Sequence, residues 1–196
     1  MKISFKILGL SMLPLLFSCT TDLKYYEKQT PAFQMDQFFS GELCAKGLVR
    51  NRDKTVNRKF VATIDAESSA DLVVLDESFI FDDGEKQKRL WTFTRNNDLW
   101  LGSAGDVVGD AIGKTAGNTL HLTYRLKIKL EDDEEIVVNM DDWLHLVDEN
   151  TLMGSTEISK WGFDVGQIDI FIQKAACNLQ SQSSIANRQS PIANNL

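Results

Sequence analysis

Residues 119–130 constrain the fold more than any other stretch of this chain. Leu120, Leu122, Tyr124, Leu126, Ile128 and Leu130 fall on one parity, and Thr119, His121, Thr123, Arg125, Lys127 and Lys129 on the other. Side chains alternate along a strand and repeat about every 3.6 residues along a helix, so strict alternation over this length predicts a half-buried antiparallel strand. The same period runs through residues 39–50, 56–66, 71–81, 88–95, 99–104, 135–147, 151–159 and 165–174, giving eight or nine strands. Their connections are short and rich in turn formers: Asn51-Arg52-Asp53, Asp82-Asp83-Gly84, Asn96-Asn97-Asp98, the acidic stretch 131–134, and Asp148-Glu149-Asn150.

Short turns impose pairing between consecutive strands. An open sheet of this size would leave two edges exposed. The expectation is therefore an all-β chain, an antiparallel meander closed into a lipocalin-like barrel, with a two-sheet sandwich as the alternative. A membrane-spanning pore is excluded by charge placement: the Arg and Lys face would have to fill a lumen too narrow for water.

The barrel is expected over 37–175. Before it, Lys2 and Lys6 precede an apolar run from Ile7 to Phe17, and Leu16-Phe17-Ser18-Cys19 follows the pattern of a bacterial lipobox except at Phe17. The run is shorter than the roughly 20 residues of a spanning helix, so 1–18 reads as a lipoprotein signal peptide with acylation expected at Cys19. Thr20 and Thr21, without aspartate, match sorting to the outer membrane. Residues 19–36 are expected to be a lipidated tether and 176–196 a disordered tail. Removing Lys2 and Lys6 takes the net charge from -7 to -9. That acidity argues against nucleic acid as a partner, since phosphate backbones attract clustered Lys and Arg. The expected membrane contact is the lipid anchor.

Residues 102–118 break the strand rhythm, with five of the chain's twelve glycines. Gly105, Gly109, Gly113 and Gly117 are spaced by four, which would share one face of a helix and allow close backbone approach. This predicts a lid or plug over one mouth of the barrel.

The order Gly84, Arg89-Leu90-Trp91, Gly102-x-Ala104-x-Asp106-Val107-Val108-Gly109-x-Ala111-x-Gly113, Gly117-Asn118, Tyr124-x-Leu126, Asp141-Asp142-Trp143 and Lys160-Trp161-Gly162-Phe163 with Gly166 resembles a family of proteobacterial lipoproteins, domain of unknown function 3833. The likeness covers about residues 38–174, and Trp161 stands where that family more often has Phe. The resemblance implies an envelope lipoprotein of no established activity. Members often lie beside genes for fatty-acid-modifying enzymes, which points toward a lipid-related role.

Gly113-Lys114-Thr115 is not a phosphate loop: Val108 stands where the first glycine is required, and Asp106 and Asp110 would repel phosphate. No Gly-x-Ser-x-Gly elbow occurs, and His121 and His145 alternate onto polar or rim positions. Two lone histidines make no zinc site, and the acid-rich turns lack the spacing of a calcium loop. No metal or cofactor is expected.

Asp142 shares the parity of Val138, Met140, Leu144 and Leu146. A carboxylate facing a core must find a partner or shift its pKa. It is expected either bonded internally, to Arg58, Arg89 or a backbone amide, or lining a ligand pocket with Trp91, Trp143 and Asp106. Cys44 and Cys177 lie in the first strand and just beyond the last, so closure would make them neighbours and a disulfide between them is one expectation, two independent thiols the other. The leading function is a non-enzymatic carrier of a fatty acid or other lipid, which predicts at most one polar group in an apolar cavity. The alternatives are a filled-core interaction protein of the envelope and a lipid-modifying enzyme, which would need two converging polar groups.

Overall fold

The computed structural model describes residues 21–129 and 134–178. Ten strands follow in order: β1 (Gly41–Asn51), β2 (Val56–Ser69), β3 (Leu72–Phe81), β4 (Lys86–Asn96), β5 (Leu99–Ser103), β6 (Ala111–Ala116), β7 (Thr119–Lys129), β8 (Glu135–Asp148), β9 (Thr151–Lys160) and β10 (Phe163–Gln173). Each pairs antiparallel with its sequence neighbour, and β10 pairs with β1 to close the barrel. The expected closed meander is the observed architecture, with one or two more strands than expected, and the sandwich alternative falls.

The extra strand is β6, which lies inside the Gly-rich segment. That segment is neither helix nor mouth plug but part of the barrel wall. Its inward positions are small, Ala111 and Gly113, and Gly113 leaves room for its neighbour on β5: a Cβ on Gly113 would stand 3.2 Å from that of Trp100. β5 and β6 are short, so β4 is paired only over Thr92–Asn96 and β7 only over Thr119–Thr123 on this side. Below those pairs, residues 104–110 span the wall. Val108 N donates to Arg125 O at 2.9 Å, Lys127 N donates to Asp106 O at 2.8 Å, and Val107 bridges Leu126.

The expected tether is corrected from residue 21 onward: it packs against one end of the barrel. A single 3₁₀ turn, Leu23–Tyr26, is capped by Asp22, and a short helix, α1 (Met35–Phe38), follows. Phe33, Met35, Phe38 and Phe39 are each 4 % exposed or less and join the core. Gly117 makes room for this segment: it has φ +51°, and Phe33 N donates to its carbonyl at 2.7 Å. The segment closes the end where β1 begins and β10 finishes. At that seam Cys44 and Cys177 form a disulfide, so the start of the expected tail is fixed to the barrel. Cys19, Leu130, the acidic stretch 131–133 and residues 179–196 lie outside the described residues.

Candidate functional site

The barrel is hollow. A cavity of about 410 Å³ runs from Met35 and Phe39 beneath the N-terminal cap to Asn57, Arg58, Gln87 and Lys127. Asn57, Gln87 and Lys127 are exposed, so the cavity opens to solvent at the end opposite the cap. Its walls are apolar residues drawn from the inward parity of the strands, in keeping with alternation on a closed sheet.

A polar belt crosses this lining at mid-height. It comprises Glu77 on β3, Arg89 on β4, Asp106 from the wall loop, Tyr124 on β7, Asp142 on β8 and Thr156 on β9. Glu77 stands opposite Arg89, and Asp142 opposite Thr156, in the strand register. The belt divides the core: Leu75, Trp91, Leu122 and Leu144 pack on the capped side, and Leu126, Val138, Met140 and Ile158 form a second cluster toward the mouth.

Arg89 grips Asp106 through two nitrogens, Nε at 3.0 Å and Nη2 at 2.8 Å from Oδ2, so the ion pair fastens the wall loop to β4. Arg58 sits at the mouth and is committed to Asp83 and Glu85, each at 2.7 Å, with its guanidinium 3.8 Å from the centre of the Phe81 ring. Neither arginine partners Asp142, contrary to the expected internal salt bridge. Asp142 is 8 % exposed, and its Oδ1 has no hydrogen-bond partner; Oε2 of Glu77 is likewise buried and unpartnered.

Burial raises both acids, and Arg89 offsets it only in part. Desolvation pushes Asp142 up to about 7, opposed in part by the hydroxyls of Thr156 and Tyr124 and by Arg89, and reinforced by Asp141. Desolvation also pushes Glu77 up to about 7; Arg89 lowers it, and Asp106, Asp142 and Asp76 raise it further. Tyr124 is held protonated by burial and by the acids around it.

Of the residues the sequence singled out, Trp91, Asp106 and Asp142 line the cavity. Trp91 stacks on Phe93 at 5.0 Å and meets Tyr124 edge-on at 5.3 Å. Trp143 is corrected: it occupies the opposite parity to Asp142, outside the cavity, with His121 stacked on it at 4.1 Å. The histidines stay out of the cavity too, His121 bonded to Asp141 and His145 to the Thr119 hydroxyl, both at 2.8 Å. Sequence reasoning missed Glu77, Tyr124 and Thr156 as belt members. Glu77 was findable, since it shares parity with Val73, Leu75, Phe79 and Phe81, the same signal that marked Asp142.

The model of one family, described as a protein of unknown function (DUF3833), matches residues 13–174. No curated protein matches the chain.

Proposed function

Since this chain belongs to the DUF3833 family, whose description carries no activity, we propose its function from the cavity: the barrel binds and carries an apolar, lipid-like ligand. The supporting observation is the cavity itself, about 410 Å³ with a mainly apolar lining crossed by one polar belt and a mouth at one end. Pockets of roughly 300–1,000 Å³ with few polar groups suit drug-sized and lipid-like molecules. A filled-core interaction protein would have no use for such a space.

The test is the fluorescence of diphenylhexatriene, a neutral hydrocarbon probe. Its emission should rise and saturate near one probe per chain, and Leu122→Trp, which fills the cavity from β7, should abolish most of the rise while circular dichroism stays that of the folded barrel. An unchanged rise in Leu122→Trp would place the probe elsewhere and sink the reading.

Export and acylation at Cys19 belong to the same proposal, supported by Lys2, Lys6, the apolar run and Leu16-Phe17-Ser18-Cys19. Outer-membrane sorting rests on Thr20 and Thr21. In cell fractionation the chain should sediment with outer membranes and Cys19→Ser should not; equal sedimentation of both would reject the anchor.

A second reading, an enzyme acting on a lipid-like substrate, is favoured by one observation. Two carboxyls raised to about 7, Glu77 and Asp142, share a single cavity, which exceeds the one polar group expected of a carrier. The cavity lining holds no serine, cysteine or histidine nucleophile among the described residues, so binding remains the leading reading. Chemical change in an extracted ligand after incubation with the protein, lost in Asp142→Asn, would reverse that order.

A further inference from the structure

We propose that the ligand of this cavity carries a protonated amine, held in the polar belt by Glu77 and Asp142, and is not a free fatty acid. The inference deepens the cavity reading and rests on it.

A free fatty acid would bring a carboxylate into the belt, where it would need a cation. The only cation at this level among the described lining residues is Arg89, and its Nε and Nη2 are both engaged by Asp106. Arg58 and Lys127 lie nearer the mouth, away from the belt; Arg58 is held by Asp83 and Glu85 through Nη2, with its Nε unpartnered. Counting Glu77, Asp106 and Asp142 against Arg89, the ionised belt has an excess of negative charge, with Asp76 and Asp141 adding to it from neighbouring positions. Another carboxylate would enter beside Asp106 and would oppose ionisation of Glu77 and Asp142.

The unsatisfied groups ask for the reverse. Asp142 is more than nine-tenths buried, lines the cavity and has Oδ1 unpartnered; Oε2 of Glu77 is also without a partner. Carboxylate oxygens in this condition accept hydrogen bonds, and charge-assisted bonds from an ammonium are the strongest available to them. An ammonium has up to three N–H donors to offer the unpartnered oxygens, and its charge offsets that of the ionised acids. A hydroxyl supplies one donor and no charge. The apolar clusters on either side of the belt take the hydrocarbon part.

Binding then carries a proton signature. The folded, empty protein holds protons on Glu77 and Asp142 near neutral pH, and the incoming cation favours their ionised forms, so protons are released on binding. The other charged or titratable groups facing this pair are Arg89, Asp106 and Tyr124, with Asp76 and Asp141 beside it on the outward parity. Arg89 and Tyr124, both raised, keep their protons.

The experiment is isothermal titration calorimetry of the full chain at pH 7 with dodecylamine, dodecanol and dodecanoate, below their aggregation thresholds, in two buffers of different ionisation enthalpy. Dodecylamine should bind at least tenfold more tightly than either other probe and release protons. In Glu77→Gln/Asp142→Asn the preference over dodecanol should fall to threefold or less, with dodecanol still bound. Tightest binding of dodecanoate, equal binding of dodecanol and dodecylamine, or a preference for the amine that survives in the double variant would overturn the amine assignment and leave the cavity reading standing. Failure of all three probes to bind would overturn both.

Discussion

Replacing Glu77 by Gln and Asp142 by Asn should stabilise the barrel at pH 8 by several kcal/mol and change it little at pH 4. The folded protein holds these carboxyls at about 7, against ordinary values of 4.5 for Glu77 and 3.8 for Asp142. At pH 4 both are protonated in the fold and still partly protonated in the unfolded chain, so only a small part of the cost of holding them in the cavity is incurred. As pH rises past the unfolded values the unfolded chain releases its protons while the fold retains them, and stability falls until about pH 7, where the folded groups also ionise. At about 1.4 kcal/mol per pKa unit, each acid costs on the order of 3 kcal/mol above pH 7. Asp53, Asp83 and Glu85 are lowered instead, and their exposed contributions run the other way with pH. The comparison of wild type with the double variant cancels them. Urea unfolding at pH 4 and pH 8 measures the effect, and a double variant no more stable than wild type at pH 8 would mean that the two acids find partners in the fold.

The disulfide should matter as much. Cys44 and Cys177 are separated by 133 residues. They close covalently the seam that β1 and β10 close by hydrogen bonds. Cross-linking so long a loop restricts the unfolded chain by about 4–5 kcal/mol in the chain-entropy account. Cys44→Ala/Cys177→Ala should therefore lose about 4 kcal/mol and melt on the order of 10 °C lower. Dithiothreitol should bring the wild type down to the variant and leave the variant unmoved. A variant that melts with the wild type would show that the hydrogen-bonded seam alone sets stability.

The barrel was legible wherever inward and outward residues differ strongly in character. β7 is observed over Thr119–Lys129, where alternation predicted 119–130. β6 was hidden because its inward residues, Ala111 and Gly113, are small enough to admit Trp100, so the alternation has almost no hydrophobic contrast. The N-terminal cap was hidden for a different reason: α1 is only four residues long, too short for a helical period to emerge, and Phe33 is buried by tertiary contact alone. The site divides in the same manner. Parity exposed Asp142 and would have exposed Glu77, but Trp143, though adjacent to Asp142, alternates outward. Which arginine meets which acid depended on the course of residues 104–110. That course was not written in a Gly-rich sequence compatible with helix, loop or strand.

Native mass spectrometry with lipid extraction, on the full chain exported from bacterial cells, tests most directly whether this hollow barrel is a carrier. The account predicts a co-purifying apolar molecule near one per chain, lost in Leu122→Trp. A clean ligand-free mass that persists when amines, alcohols and fatty acids are added would contradict it.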